Sequence, residues 1–210
     1  MSGQVEHNFT CSSKLSAILL CSIQEIIGEA GLVAVLKQAG ILLEEGDACR
    51  DSLQQPLTFS EVSRIQNSLE ALLGARGGRG VALRSGRVMF RQILREFGSE
   101  LGFSDLVFRL SPIEVKLQTG LDILARILSE HMNFIANAGT DETQFLLKID
   151  RCPVCWEREA DAVVCHLIVG MLQEVAYWVS GGKIFTIEEK TCMTRGEPAC
   201  VIAINRKYLE

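Results

Sequence analysis

The stretch KIFTIEEKTCMTRGEPACVIAIN, residues 183–205, predicts two β-strands and the turn that joins them. Apolar and polar side chains alternate over 183–193 and again over 200–205, which is the pattern of half-buried strands. The intervening residues 194–198 contain a glycine and a proline, which are typical of a tight turn. Because so short a connection joins the two strands, we expect them to pair as an antiparallel hairpin.

Helices are predicted for most of the chain before this hairpin. Apolar residues recur at three- and four-residue steps over several segments. A glycine-rich stretch, residues 74–80, separates two of them and lacks the Gly-Lys-Ser/Thr sequence of a phosphate-binding loop. One further strand is predicted over 143–149. The predicted helices are 12–30, 32–38, 60–73, 81–97, 112–132 and 161–179.

The order of these elements predicts an α+β fold. Helices come first, and a small antiparallel sheet follows that is interrupted by one long helix. We expect a single domain over 1–210, in which the mainly helical residues 1–139 pack on the small sheet formed by residues 140–210.

The composition excludes several classes of protein. The chain has 210 residues, 48% of them hydrophobic, and a net charge of −5, which is unfavourable for general nucleic-acid binding. Its uninterrupted apolar runs are shorter than the about 20 residues of a membrane span. The N-terminal sequence MSGQVEHNFTC lacks the pattern of a secretory signal. We therefore expect a cytoplasmic protein without a transmembrane segment.

Eight cysteines are distributed unevenly along the chain. Cys11, Cys21 and Cys49 are scattered through the first quarter. We interpret them as buried or incidental thiols, since a reducing compartment disfavours a disulfide framework. The others crowd into the C-terminal part, which favours chemistry or metal binding over core filling. They are Cys152, Cys155, Cys165, Cys192 and Cys200.

The predicted hairpin brings Glu189, Cys192 and Cys200 together near its turn. If the helix over 161–179 packs on the hairpin, Cys165 supplies a fourth donor. Three cysteines and a glutamate form a workable tetrahedral set for zinc, and such a site would couple metal binding to folding. Iron, or an iron–sulfur cluster, is a less favoured alternative. Three buried thiols and a solvated glutamate are the alternative without a metal.

Cys152-Pro-Val-Cys155 is a Cys-x2-Cys motif whose role the spacing leaves open. It can be half of a zinc site, a redox pair, or two thiols without a partner. A thioredoxin-like pair opens a helix after a strand, whereas here the predicted helix begins only at residue 161. Either cysteine can also add to, or replace, a ligand of the neighbouring metal site.

Four arginines recur at three- and four-residue steps and therefore line one face of a predicted helix. They are Arg84, Arg87, Arg91 and Arg95. One interpretation is a solvated cationic face that pairs with acids elsewhere in the protein. The other is a site for an anion or an acidic protein partner, for which the forked guanidinium group is well suited.

The C-terminal motifs together form a longer pattern: Cys152-Pro-Val-Cys155-Trp156, Cys165, Gly170, Gly182, Glu189-Lys-Thr-Cys192, Gly196-Glu197 and Cys200-Val-Ile-Ala-Ile204. Over residues 140–206 this pattern resembles the 4-vinyl reductase domain family, named after a bacteriochlorophyll-biosynthesis protein. The resemblance implies a twisted antiparallel sheet with helices packed on it. That is the fold type of TRAPP vesicle-tethering subunits and of NO-signalling ligand-binding domains. It also implies a homodimer.

The same resemblance implies a zinc site and a bound ligand. In phenol-sensing transcription activators a similar domain binds an aromatic effector beside a structural zinc, whose Cys, Glu, Cys, Cys order matches Cys165, Glu189, Cys192 and Cys200. Other similar proteins are associated with hydrocarbons or tetrapyrroles, some of them in photosynthetic organisms. The residues that we expect to face such a ligand are Phe90, Phe97, Phe103, Phe108, Leu124, Phe134, His166, Tyr177 and Trp178.

Three functions follow from these observations. The first is a binding protein for a hydrophobic, aromatic or tetrapyrrole-like molecule. Such a carrier, sensor or assembly factor would serve (bacterio)chlorophyll metabolism or photosynthesis, in the cytoplasm or at the periphery of a photosynthetic membrane. The second is a 4-vinyl (proto)chlorophyllide reductase or its accessory subunit, which is less favoured because the sequence has no nicotinamide or flavin fingerprint. The third is a dimeric adaptor without a ligand.

Overall fold

A four-stranded antiparallel sheet carries the C-terminal part of the chain in the computed structural model, which describes residues 9–42, 55–98, 108 and 110–209. Its strands lie in the order β1-β2-β4-β3. The predicted hairpin is confirmed, since β3 and β4 pair antiparallel. The strands are β1 (Ile135–Thr140), β2 (Gln144–Arg151), β3 (Phe185–Thr191) and β4 (Cys200–Tyr208).

Strand β1 was not predicted from the sequence. It lies at the edge of the sheet, where it pairs with β2 alone. Its sequence, IANAGT, buries a single side chain, that of Ala136. Because an edge strand with so little buried apolar surface shows no clear alternation, the period of two that identified the other strands is absent here.

In the described part of the chain, four α-helices with defined bounds pack with the sheet around one hydrophobic core. They are α1 (Ser13–Gln38), α2 (Phe59–Phe97), α3 (Ile113–Met132) and α4 (His166–Val179). Helix α2 packs against both α1 and α4, while α3 packs on β1 and α4. The predicted α+β class, with helices packed on a small antiparallel sheet, is therefore confirmed.

Two glycines with positive φ divide the long helices. Gly28 (φ 74°) interrupts α1 and Gly74 (φ 72°) interrupts α2, because glycine adopts this conformation without steric cost. The sequence predicted the first break at Gly31, three residues too late. It also predicted a hinge over 74–80, whereas the structure is non-helical at Gly74 alone and helical beyond it.

Helix α1 is the one helix in the described part of the chain that is long and apolar enough to cross a membrane, judged by length and composition alone. The side chains of Leu15, Leu19 and Ile23 are fully buried in the core of the fold. About 39% of its apolar window is buried, and one helix that passes this test is weak evidence for a membrane span.

Helices α2 and α4 cross with their backbones in direct contact. A Cβ atom built on Gly86 would overlap the carbonyl oxygen of Leu167, and one built on Gly170 would overlap that of Leu83. Each helix therefore uses a glycine to admit the backbone of the other. This crossing fixes α4, and with it the residue that precedes α4, Cys165.

Candidate metal centre

Five cysteine sulfurs converge at the end of the sheet where β4 begins. Cys165 Sγ lies 3.6 Å from Cys152 Sγ, 3.6 Å from Cys200 Sγ and 3.8 Å from Cys192 Sγ. Cys200 Sγ lies 3.4 Å from Cys155 Sγ and 3.9 Å from Cys192 Sγ. All five side chains are buried. Tetrahedral zinc with bonds of about 2.3 Å to sulfur requires sulfur–sulfur separations of about 3.8 Å, so the spacing is that of a metal–thiolate site.

Two overlapping sets of four donors have the dimensions of a metal site, with all ligand atoms of a set within 4.8 Å of one another. One set is all sulfur: Cys152, Cys155, Cys165 and Cys200. The other contains the carboxylate: Cys165, Glu189, Cys192 and Cys200. The structure thus brings together all six residues that the sequence singled out as metal ligands.

Short turns and strand ends position these donors. Cys152 precedes, and Cys155 ends, a 3-10 turn, Pro153–Cys155, that follows β2. Cys192 directly follows β3 and precedes a second 3-10 turn, Met193–Arg195. Cys200 is the first residue of β4. The backbone thus turns sharply at both strand ends, which directs the cysteine side chains into one buried space.

Cys165 lies immediately before α4 and not one turn inside it. The sequence predicted that this helix begins at residue 161, but the structure starts it at His166. The side chain of Glu189 accounts for the difference, because its Oε2 accepts a hydrogen bond from the Cys165 backbone N–H at 2.8 Å. This bond holds the N-terminus of α4 against β3.

Glu189 is a buried carboxyl group with an unused ligand atom. Its Oε1 is buried and has no hydrogen-bond partner among the described residues. Burial, and then the neighbouring Cys192, raise the pKa of Glu189 to about 8. A buried oxygen without a partner is costly. A cation at this point would satisfy it and keep the carboxyl group ionised.

The cysteines of the cluster shift one another's pKa values. The neighbouring thiols of Cys155, Cys165 and Cys200 lower the pKa of Cys192, while hydrogen bonds within the cluster raise the pKa of Cys165. The hydroxyl of Thr194 also donates to Cys192 Sγ at 3.2 Å. A divalent ion would compete for these sulfurs as thiolates and release their protons.

Thr194 and Trp156 lie beside the cysteine cluster, and the sequence assigned neither of them a role there. Trp156 follows Cys155 and packs edge-on against Phe59, with ring centroids 5.4 Å apart. It also lines a surface groove of about 650 Å³ that reaches Cys155 and Met193. The signal available in the sequence was position alone, since each residue lies within two positions of a cysteine.

The first three cysteines differ from one another in state. Cys11 is a buried free thiol, as predicted, and burial raises its pKa to about 12. Cys21 is disulfide-bonded, so its interpretation as a thiol was wrong. The sequence alone does not show which cysteines are neighbours in space. Cys49 lies outside the described residues, as does the predicted ligand residue Phe103.

The predicted ligand-facing residues occupy three separate places. Phe90, Leu124 and Phe134 are buried in the core. Phe97 packs against His131 with ring centroids 4.9 Å apart. The remaining four lie on or beside α4: Phe108, His166, Tyr177 and Trp178.

Within this last group, the ends of α4 separate His166 from the aromatic residues. Tyr177 and Trp178 are half-exposed at its C-terminal end, where Phe108 stacks on Trp178 with centroids 6.5 Å apart. His166 is at the N-terminal end beside the cysteines. Burial, and then the charge of Arg79, lower its pKa.

Two of the four predicted arginines pair with α4. Arg87 Nε donates to Gln173 Oε1 at 3.2 Å, and Arg91 forms a 3.2 Å ion pair with Glu174. The Arg91–Glu174 pair is the behaviour expected of a cationic face that pairs with acids elsewhere in the protein, whereas Gln173 is a neutral partner. The other two side chains are exposed on α2: Arg84 and Arg95.

Comparisons with known proteins identify the family of this chain. A profile of methanogen output domain 1 (MetOD1) matches residues 89–205, more than half of the chain. The chain belongs to the methanogen output domain 1 family. The matched segment contains all six donors of the MetOD1 chain's cysteine cluster. No curated protein matches the sequence.

Solved structures of H-NOX proteins share the fold of this MetOD1 chain. An H-NOX protein from S. oneidensis in the Fe(II)NO ligation state has a TM-score of 0.58 and 13% identity, covering 93% of this chain and 99% of its own. An oxygen-binding H-NOX domain related to soluble guanylate cyclases has a TM-score of 0.56 and 12% identity, covering 95% of both chains. The prediction of an NO-signalling-type fold is therefore confirmed.

Proposed function

We propose that this MetOD1 chain is a small-molecule binding module in which zinc joins the N-terminus of α4 to the β3–β4 hairpin. The observation that carries the proposal is the convergence of Cys165, Glu189, Cys192 and Cys200 on one buried point, with an unpaired carboxylate oxygen among the sulfurs. A thiolate-rich tetrahedral set is typical of structural zinc. The Cys, Glu, Cys, Cys order, which resembles the order of the zinc ligands in phenol-sensing transcription activators, supports zinc over iron.

Replacement of one zinc ligand tests this zinc clamp, the proposed site of Cys165, Glu189, Cys192 and Cys200. We expect protein purified without chelator to contain zinc, and the Cys192→Ser variant to contain less zinc and to unfold at a lower temperature, because bound metal contributes to folding free energy. Elemental analysis and thermal unfolding measure the two effects. Cys11→Ala is the matched control, since Cys11 is a buried thiol outside both donor sets. A Cys192→Ser variant with unchanged zinc content and melting temperature would contradict the proposal.

The ligand we propose is an aromatic or tetrapyrrole-like molecule that stacks at the C-terminal end of α4. Phe108, Tyr177 and Trp178 provide partly exposed aromatic surface there. Aromatic rings bind one another in stacked or edge-on arrangements, so a flat apolar ligand suits this surface.

An axially ligated iron porphyrin does not fit the histidines of the described residues. The ring of His131 packs against Phe97, and His166 lies beside the cysteines, at the opposite end of α4 from Trp178. A haem iron is commonly held by a histidine directed at its face. These histidines therefore do not support haem binding in this chain, although the fold is shared with H-NOX proteins.

Tryptophan fluorescence tests ligand binding and its place. The probes are phenol and metal-free protoporphyrin IX, titrated into the parent chain and into Trp156→Phe, which retains Trp178 as its single indole. We expect saturable quenching of both proteins, with a larger fractional loss of fluorescence in Trp156→Phe, because its single indole lies at the proposed site. Saturable quenching by the porphyrin would also favour the link to (bacterio)chlorophyll metabolism. Absence of quenching with both probes would leave the dimeric adaptor as the better proposal, which native mass spectrometry of the chain tests directly.

A further inference from the structure

The cysteine cluster contains more donors than one tetrahedral ion can use. A tetrahedral zinc takes four ligands, whereas five sulfurs and one carboxylate converge here. If one ion occupied the all-sulfur set, Glu189 and Cys192 would lie in the cluster without binding a metal ion. If it occupied the set with the carboxylate, Cys152 and Cys155 would be left over. Neither arrangement explains why all six donors lie together.

We propose that the cluster binds two zinc ions bridged by the thiolates of Cys165 and Cys200. The inference rests on the proposed zinc clamp and extends it. Two tetrahedra that share one edge need two bridging ligands and two terminal ligands each, which is six donors. The two donor sets share one pair of sulfurs, Cys165 Sγ and Cys200 Sγ, which are 3.6 Å apart.

The sheet topology holds the two terminal pairs on opposite sides of a bridging ligand. Cys200 begins β4, which lies between β2 and β3 in the sheet. Cys152 and Cys155 follow β2 on one side, while Glu189 and Cys192 belong to the end of β3 on the other side. The strand order thus places one pair of terminal ligands on each side of the two bridging sulfurs. Two tetrahedra that share an edge require this arrangement.

The charge of the doubly occupied cluster is the same as that of an ordinary zinc site. Five thiolates and one carboxylate with two divalent ions leave a net charge of about −2, as four thiolates do with one ion. Groups that donate to sulfur are already in place. The Met193 backbone N–H points at Cys200 Sγ at 3.4 Å, and the Thr194 hydroxyl points at Cys192 Sγ at 3.2 Å.

Metal stoichiometry tests the proposal on the full chain. Reduced, metal-free protein is titrated with zinc and measured by native mass spectrometry. We expect two zinc ions per parent chain and one in the double variant Cys152→Ser/Cys155→Ser, which keeps the set that contains Glu189. Cys11→Ala is the control and should retain two. One zinc per parent chain would overturn the binuclear proposal and leave the zinc clamp intact, whereas none would overturn both.

Cobalt(II) titration tests the bridge without relying on any variant. Thiolates shared between two cobalt ions couple their electron spins. We therefore expect the electron paramagnetic resonance signal to grow up to one equivalent and to fall as the second equivalent binds, while the sulfur-to-cobalt absorption continues to rise. A signal that doubles at two equivalents would show isolated ions and refute the bridge.

Discussion

Replacement of Gly86 by alanine should disrupt the contact between α2 and α4, whereas the same replacement at Gly80 should stabilise the protein. Both glycines lie in α2, six residues apart. A Cβ atom on Gly80 would have no neighbour within 4 Å, but one on Gly86 would overlap the carbonyl oxygen of Leu167 and crowd the backbone nitrogen of Met171. The two substitutions therefore differ only in what the added methyl group meets.

The expected magnitudes follow from two opposing effects. Alanine is more favourable than glycine inside a helix by about 1 kcal/mol, and at Gly80 this gain acts alone. At Gly86 the obstacle is backbone, so no side-chain rotation relieves it, and the helices must separate by about 1 Å. A gap of that size forfeits a quarter to a half of the dispersion energy of the facing atoms. Overpacking of this kind costs about 3 kcal/mol, which leaves a net loss of about 2 kcal/mol.

Urea unfolding of the two variants and the parent measures these free energies. In a chain of this length, about 1 kcal/mol corresponds to a change in melting temperature of about 2–4 °C. We expect Gly80→Ala to melt about 3 °C higher than the parent and Gly86→Ala to melt about 6 °C lower. Equal stability of the two variants would refute the inference that the helix backbones are in contact.

Three further predictions concern surface and capping interactions. Arg91→Ala should lower the free energy of unfolding by about 0.5 kcal/mol, because it removes the ion pair with Glu174. The pair is partly exposed, so the difference should shrink in high salt, which unfolding at two salt concentrations measures. Thr58→Ala should cost about 1 kcal/mol, measured by urea unfolding, because it removes the capping box of α2. Asp141→Ala should lower the melting temperature at pH 7, because the Asp141 carboxylate accepts backbone N–H bonds that lower its pKa below 3.8. This contribution to stability is present above pH 3.8 and is lost as the pH falls through the lowered pKa. The melting temperatures of the variant and the parent should therefore converge in acid. A salt-independent effect at Arg91, a silent Thr58→Ala, or a pH-independent difference at Asp141 would contradict the corresponding prediction.

The hairpin and its candidate metal ligands were predictable because their signals are local. Strands β3 and β4 alternate in polarity, and the short turn between them makes Cys192 and Cys200 neighbours whatever the rest of the chain does. Strand β1 gave no such signal, since Ala136 is its one buried residue. The start of α4 was predicted too early because the hydrogen bond between Glu189 and the Cys165 backbone is a long-range contact, which helical periodicity does not contain.

The role of Cys152 and Cys155 depended on strand order, which the sequence does not state. Their distance from Cys200 is small because β2 pairs directly with β4, in the register that places Ile149 opposite Cys200. A sheet in which β2 lay at the far edge would have been equally consistent with the observed alternation. The sequence therefore left these cysteines open between a metal, a redox pair and free thiols, and pairing between distant strands places them in the cysteine cluster.

Helix α4 links the proposed metal site at its N-terminal end to the proposed ligand surface at its C-terminal end. Cys165 precedes the first residue of α4, Gly170 lies against the backbone of α2, and Trp178 is at the C-terminal end. A helix that touches its neighbour through backbone atoms cannot adjust by moving side chains, so it shifts as one body. Loss of metal at Cys165 would release the first turn of this body and leave the glycine crossing as its pivot. The same rigidity that makes Gly86 intolerant of a methyl group would carry that movement to Trp178.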